Sequence, residues 1–190
     1  MHIDYTEEQK QLRKELREYF SNLMTDEVRK NIRGQEESGD LYNHLIRQMG
    51  KDGWLSLGFP KEYGGMGKGQ IEQLMFFEEA LLAGAPVPFV TLNTVAPALM
   101  DYGTDAHKEK FLAGIIAGDI HFAIGYTEPE SGTDLASLRC SAVLDGDEWV
   151  INGNKVYTSG ANQSDYVWLA CRTDTEAPKH QGITLIIVPT

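Results

Sequence analysis

A change of hydrophobic period near Gly118 constrains the fold more than any other feature of the sequence. Before it, apolar residues recur at spacings of three and four, as in helices with one buried face; after it, they run in short extended stretches. Leu12, Leu16, Tyr19, Phe20 and Leu23 form one such face between Thr6 and about Met24. Thr6 followed by Gln9 has the pattern of a capping box, and Glu7 and Glu8 put negative charge where the helix dipole favours it. Further helices are predicted around Leu41 to Met49, closed by Gly50 and Gly53, from about Gln70 to Leu82, near Thr91 to Tyr102, and from Thr104 to Ile116. Pro86 and Pro88 break the chain between Leu82 and Thr91.

Beyond Gly118 come HFAIGY, LRCSAVL, WVING, NKVYTS, YVWLAC and ITLIIVP, which read as strands. Asp145-Gly146 and Asn152-Gly153 are expected at tight turns, because these residue types tolerate positive φ. The expected fold class is therefore α+β. An all-α domain of about five helices spans residues 1–119, and an antiparallel β-domain of barrel or sandwich type spans 120–190. The last run, Gly182 to Thr190, reads as an apolar strand with no element to cover it, so the β-domain is expected to be incomplete.

Composition narrows the classes. With 190 residues and 42% of them apolar, the chain can bury a proper core. The net charge is −11 and neither half is basic, which removes the electrostatic footprint for nucleic acid or an anionic membrane surface. The N-terminus has no apolar leader and no stretch is long enough to span a bilayer, so a cytoplasmic protein is expected. Cys140 and Cys171 sit in β-like runs without ligand spacing and read as buried free thiols. The five histidines make no metal motif, and no GxSxG elbow supplies a nucleophile.

The glycine cluster from Gly64 to Gly69 is not a phosphate loop: Glu62 stands where a Walker motif needs Gly, and Gly69 where it needs Ser or Thr. It reads as a flexible loop before a helix. The paired acids Glu36-Glu37 and Glu78-Glu79 read as solvated faces. One segment stands apart, GYTEPESGTDLAS from Gly125 to Ser137. A strand there runs into a turn rich in Pro, Ser, Gly and Asp, which projects hydroxyls and backbone N–H groups from one rim. Spacing alone leaves a plain turn and a ligand site both open.

That segment closely resembles the signature of the acyl-CoA dehydrogenase family. FPKEYGGMGKG, YGTDAHKEKFLAGIIAGD and INGNKVYTSGANQSDY match further stretches of the family in the expected order, so the resemblance spans nearly the whole chain. It implies FAD as cofactor and α,β-dehydrogenation of an acyl-CoA thioester to a trans-2-enoyl-CoA. A carboxylate takes the α-proton, the flavin accepts the β-hydrogen as hydride, and an electron-transferring flavoprotein is the acceptor.

The resemblance also assigns residues. Ile124, Gly125, Tyr126 and Thr127 would lie along the flavin ring, with the Thr127 hydroxyl near its reactive edge. Thr133 would serve the pyrophosphate and lie close to the CoA portion. Tyr157 stands where the family usually has a Trp packed on the ring, and Thr158 and Ser159 stand where backbone and hydroxyl contacts to the ring are made. Tyr126 replaces an aliphatic residue of the signature. The family's catalytic base belongs to a C-terminal helical bundle absent from this sequence, so no acidic residue is given that role and the chain alone is expected to bind FAD weakly. The sequence further resembles the actinobacterial branch that handles sterol side-chain and other bulky thioesters, some of whose members are heteromeric; a homo- or hetero-oligomer is implied. The alternatives are a non-catalytic partner subunit and a related acyl-CoA oxidase or flavin monooxygenase.

Overall fold

The computed structural model describes residues 4–33 and 39–190, which divide into two compact units, Met1–Ile120 and His121–Thr190. The Glu36-Glu37 pair lies outside the described residues. Among those described, no helix is long and apolar enough to cross a membrane.

The first unit is helical: α1 (Glu7–Leu23), α2 (Asp26–Ile32), α3 (Asp40–Lys51), α4 (Gln70–Ala83), α5 (Ala96–Tyr102) and α6 (Asp105–Ala117). The capping box is present as read: Gln9 N–H donates to Thr6 Oγ1 at 3.2 Å, and Thr6 N–H donates to Gln9 Oε1 at 3.0 Å. Helix α2, DEVRKNI, has no buried residue and hence no apolar stripe that the periodicity could have shown. The stretch expected as one helix from Thr91 begins instead with a π-helical turn, Thr91–Val95, before α5.

Leu16, Phe20, Met49, Phe76 and Ile115 are among the side chains that fill the core, and a chain of aromatic rings runs from it to the surface: Phe20 to Phe76 at 5.6 Å, Phe76 to Phe77 at 5.3 Å and Phe77 to the exposed Phe89 at 5.3 Å. Each fully buried ring of this size contributes about 1.5–3 kcal/mol through the hydrophobic effect. Gly50 does not close α3, as its residue type suggested, but lies inside it. A Cβ there would stand 2.3 Å from the carbonyl oxygen of Ala117, so glycine permits the two backbones to touch. Gly53, at φ 86°, makes the turn instead.

Two other expectations change. The glycine loop is pinned rather than loose: the N–H groups of Gly65, Met66, Gly67 and Lys68 donate to the carbonyls of Pro60, Ser56, Phe59 and Leu57. Glu79 is buried rather than solvated. Arg17 donates to both of its oxygens, at 3.0 and 2.8 Å, and Arg13 lies 3.4 Å away, which joins α4 to α1.

The second unit is one five-stranded sheet built from β1 (Phe122–Gly125), β2 (Ser141–Asp145), β3 (Glu148–Asn152), β4 (Tyr166–Arg172) and β5 (Ile183–Pro189). The sheet is mixed, not wholly antiparallel. β4 pairs antiparallel with β5 along its length but parallel with β1 over Tyr166–Leu169 and parallel with β2 at Arg172. Between β1 and β4 lie the signature turn and the β2–β3 hairpin, a connection long enough for the crossover that parallel pairing needs. The Asp145-Gly146 turn closes that hairpin, with Gly146 at φ 63°. NKVYTS forms no strand: Val156 N–H leaves the ladder to donate to Thr127 O at 2.9 Å, and Tyr157 turns to φ 57°. Cys140 and Cys171, both free and buried, pack with Ala142 and Leu169 in the core of the sheet.

Candidate functional site

Strand β1 delivers the first group of candidate residues. Ile124 and Gly125 are its last two members, and Gly125 has no room for a side chain: an added Cβ would lie 2.8 Å from Val167 Cγ1 on the neighbouring β4. Tyr126 and Thr127 follow directly, half-buried. The chain then tightens into a turn closed by reciprocal bonds between Glu128 and Ser131, N–H to carbonyl at 2.8 and 3.1 Å. Ser131 Oγ donates to Asp134 O at 2.8 Å, and Ser137 Oγ and Lys179 Nζ both donate to Asp134 Oδ2, at 2.7 and 2.6 Å. With the Lys179 ammonium first and the Ser137 hydroxyl second among the causes, the Asp134 carboxyl is held below the usual range. Thr133 is exposed within this turn, and a Cβ on Gly132 would reach within 3.8 Å of Thr127 Cγ2, so turn and rim are neighbours.

The second group comes from the segment after β3. The bond from Val156 N–H to Thr127 O places Tyr157 and Thr158 beside the end of β1, and Lys155 Nζ donates to Tyr126 O at 3.0 Å. Tyr157 is 89% exposed and is the non-glycine residue with positive φ among those described, a conformation that costs an L-residue about 1–2 kcal/mol. Thr158 is its opposite. Its hydroxyl oxygen is shut off from solvent and has no hydrogen-bond partner among the described residues. Ser159 is exposed at the start of the following turn. A strained aromatic ring that faces outward, next to an unsatisfied buried hydroxyl, fits a flat heteroaromatic ligand that offers a face to the ring and an acceptor or donor to the hydroxyl. An isoalloxazine has both.

Ile124 through Thr127 and Tyr157 through Ser159 thus converge, and Thr133 lies on the turn next to them. None of these residues lines the described cavities, the largest of which, about 610 Å³, lies in the helical unit between Phe59, Gln73, Phe77, Phe89 and Asn93. Thr133, Tyr157 and Ser159 are exposed on this rim.

Sequence reasoning passed over the residues that hold this rim together. Glu128 is buried; its Oε2 accepts from Arg139 N–H at 2.7 Å, and its Oε1 accepts from Cys140 N–H and from Lys155 Nζ, both at 2.8 Å. Burial pushes its carboxyl up, but Lys155 and the two amides outweigh that and bring it below the usual glutamate range. Arg172, at the end of β4, donates to the carbonyls of Ala136, Leu138, Lys179 and Gln181, and so ties the signature turn to the loop before β5. A Glu and a Lys each set within a turn-rich run was the available signal, but nothing in the spacing says that they meet.

The family model of the acyl-CoA dehydrogenase N-terminal domain matches residues 6–119, and that of the acyl-CoA dehydrogenase middle domain matches residues 123–190. The chain belongs to the acyl-CoA dehydrogenase family, a family of FAD flavoproteins. It is 56% identical over 196 residues to acyl-CoA dehydrogenase FadE26 of Mycobacterium tuberculosis, and 55% identical over 190 residues to FadE29 of the same organism; both alignments cover 100% of the chain and 49% of the relative. Among solved structures, a steroid acyl-CoA dehydrogenase named Tcur3481-Tcur3483 matches at TM-score 0.94 and 54% identity, across 100% of this chain and 49% of that one. The ChsE4-ChsE5 complex of Mycobacterium tuberculosis matches at TM-score 0.92 and 56% identity, across 100% and 48%. The chain spans about half the length of the curated relatives it matches.

Proposed function

We propose that this chain supplies the FAD-contacting part of an acyl-CoA dehydrogenase that desaturates a bulky, steroid-type acyl-CoA thioester to its trans-2-enoyl-CoA within an assembly of two different subunits. The observation that carries this reading is the Val156 to Thr127 backbone bond, which sets a hydroxyl, a second unsatisfied hydroxyl and an outward aromatic ring on one rim. Identity of 54–56% to structures named as a steroid acyl-CoA dehydrogenase and a two-component complex supports the substrate class and the assembly.

Bound FAD supplies the acceptor for the β-hydrogen, taken as hydride. The work of this chain is placement. Thr127 and Thr158 offer hydroxyls to the polar edge of the ring, Tyr157 offers a face, and the backbone of Ile124, Gly125 and Tyr126 borders it. Ser159, beside Thr158, adds a further hydroxyl to the ring contacts, and the exposed Thr133 serves the pyrophosphate and the nearby CoA portion. Tyr157 presents a smaller face than Trp does, so less of the ring is covered from that side. Glu128 is committed to Lys155 and two amides and is not the base that takes the α-proton; that carboxylate belongs to the part of the family fold beyond these two domains. An electron-transferring flavoprotein is the acceptor in this reading.

The test is to purify the full-length protein with its partner subunit, record its visible absorbance, and assay a panel of steroid-CoA and straight-chain acyl-CoA thioesters. Stoichiometric flavin and preferential turnover of steroid-CoA are expected. Turnover of straight-chain thioesters alone would overturn the substrate class, and an assembly that never takes up flavin would overturn the whole reading. A flavin-bearing assembly whose activity survives replacement of the base position in this subunit, but not in its partner, would point to a non-catalytic partner role instead.

A further inference from the structure

Among the ion pairs described in the sheet unit, only Glu128 with Lys155 has both side chains withdrawn from solvent, at 7% and 10% exposure. Two buried charges are a poor way to stabilise a small sheet, since desolvation cancels much of their attraction and a well-packed apolar pair does as well. Their placement offers another reason for them. Glu128 directly follows Thr127, and Lys155 stands two residues before Tyr157. Three hydrogen bonds from Arg139 N–H, Cys140 N–H and Lys155 Nζ converge on the Glu128 carboxylate, and Lys155 makes a fourth bond back to Tyr126 O. The pair therefore crosslinks the signature turn, the entry to β2 and the segment after β3, which are three stretches with no ladder of their own at this point.

Resting on the function proposed above, we infer that Glu128 and Lys155 are positioning residues for the flavin: the pair fixes the separation of the Thr127 rim from the Tyr157-Thr158 rim. Neither touches the ring in this account. An ion pair suits the task better than an apolar pair, because its bonds are directional and fix a register, whereas apolar contacts tolerate sliding. The backbone bond from Val156 to Thr127, at 2.9 Å, completes the clamp by tying the two rims directly.

The experiment uses the full-length protein with its partner subunit, stripped of flavin and titrated with FAD, with the dissociation constant and the positions of the visible flavin bands as readouts. Glu128→Gln and Lys155→Met are expected to weaken FAD binding by about tenfold, equivalent to about 1.4 kcal/mol, and to shift the bands; Lys155→Arg is expected to restore most of the affinity. Cys171→Ala, a core truncation in the same sheet, lowers the melting temperature but leaves affinity and bands in place. If Lys155→Met does not fold, the nearly isosteric Glu128→Gln decides. Wild-type affinity and unshifted bands in Glu128→Gln would overturn the inference even if its melting temperature drops, and so would a loss of FAD in Cys171→Ala equal to that in the pair variants. A wild-type protein that takes up no FAD sinks the functional reading itself and this inference with it, a result visible before any variant is made.

Discussion

The two units hold themselves together by different means. In Met1–Ile120 the weight lies on large apolar side chains, with Leu16, Phe20, Met49, Phe76 and Ile115 fully buried and an ion network around the buried Glu79 at the seam of α1 and α4. In His121–Thr190 the tightly buried residues are mostly small, such as Ala123, Cys140, Ala142, Ala170 and Cys171, while Val143, Leu144, Trp149 and Val150 of the hairpin stay exposed. What organises that unit is a set of cations and carboxylates that pin irregular backbone: Glu128 with Lys155, Arg172 on four carbonyls, and Lys179 on Asp134. Packing makes a scaffold; polar pins shape a rim.

The comparison can be broken in the helical unit first. Phe76→Ala should cost about 3–5 kcal/mol, measured by denaturant unfolding of the full-length protein, and hydrogen exchange should locate the loss in α1 and α4. Arg172→Met, which keeps the stem and removes the guanidinium, should cost about 2–3 kcal/mol, with faster exchange confined to the signature turn and the loop before β5. Equal losses in both units would show that the division between packing and pinning is wrong.

Gly50→Ala sharpens the same contrast. An isolated helix gains about 1 kcal/mol from this change, yet here a net destabilisation of about 1–3 kcal/mol is expected, because the new methyl meets the backbone of Ala117. A stability gain on thermal melting would mean that α3 and α6 are not in backbone contact.

Acid provides a further test. The folded-state pKa of Glu128 lies below its unfolded value, so the group's contribution is complete above about pH 4.3 and is lost as pH falls through the depressed folded value. The melting temperatures of wild type and Glu128→Gln should therefore differ at neutral pH and converge only as pH falls through the depressed folded value. Smallest is the cap: Thr104→Ala removes the oxygen that accepts from His107 N–H and should cost about 1 kcal/mol, read as a shift of the denaturation midpoint.

Much of the helical unit is legible in sequence because its rules are local. The capping box of α1, the boundaries of α4 and the Thr104 cap of α6 each depend on residues within a turn of one another. The buried Glu79 escaped that reading because its arginine lies 62 positions away, and a pair of adjacent acids on a helix normally faces water. In the sheet unit the strands announce themselves by composition, but pairing does not: nothing in FAIG or YVWLACR says that they run parallel. The ring-facing candidates came from resemblance alone. Geometry then added what resemblance had not supplied, namely the positive φ of Tyr157, a residue type that gives no notice of it, and the meeting of Glu128 with Lys155 across 27 positions.

The parallel pairing of β1 with β4 carries a consequence for biosynthesis. As the polypeptide leaves the ribosome, Phe122–Gly125 emerges well before Tyr166–Arg172, so the strand that presents Tyr126 and Thr127 must wait, without its ladder, until the later one has been translated. The rim formed by Tyr126 and Thr127 is thus among the last features of this chain to take shape, and a translational pause between the two strands would prolong the interval in which β1 is open to the wrong neighbour.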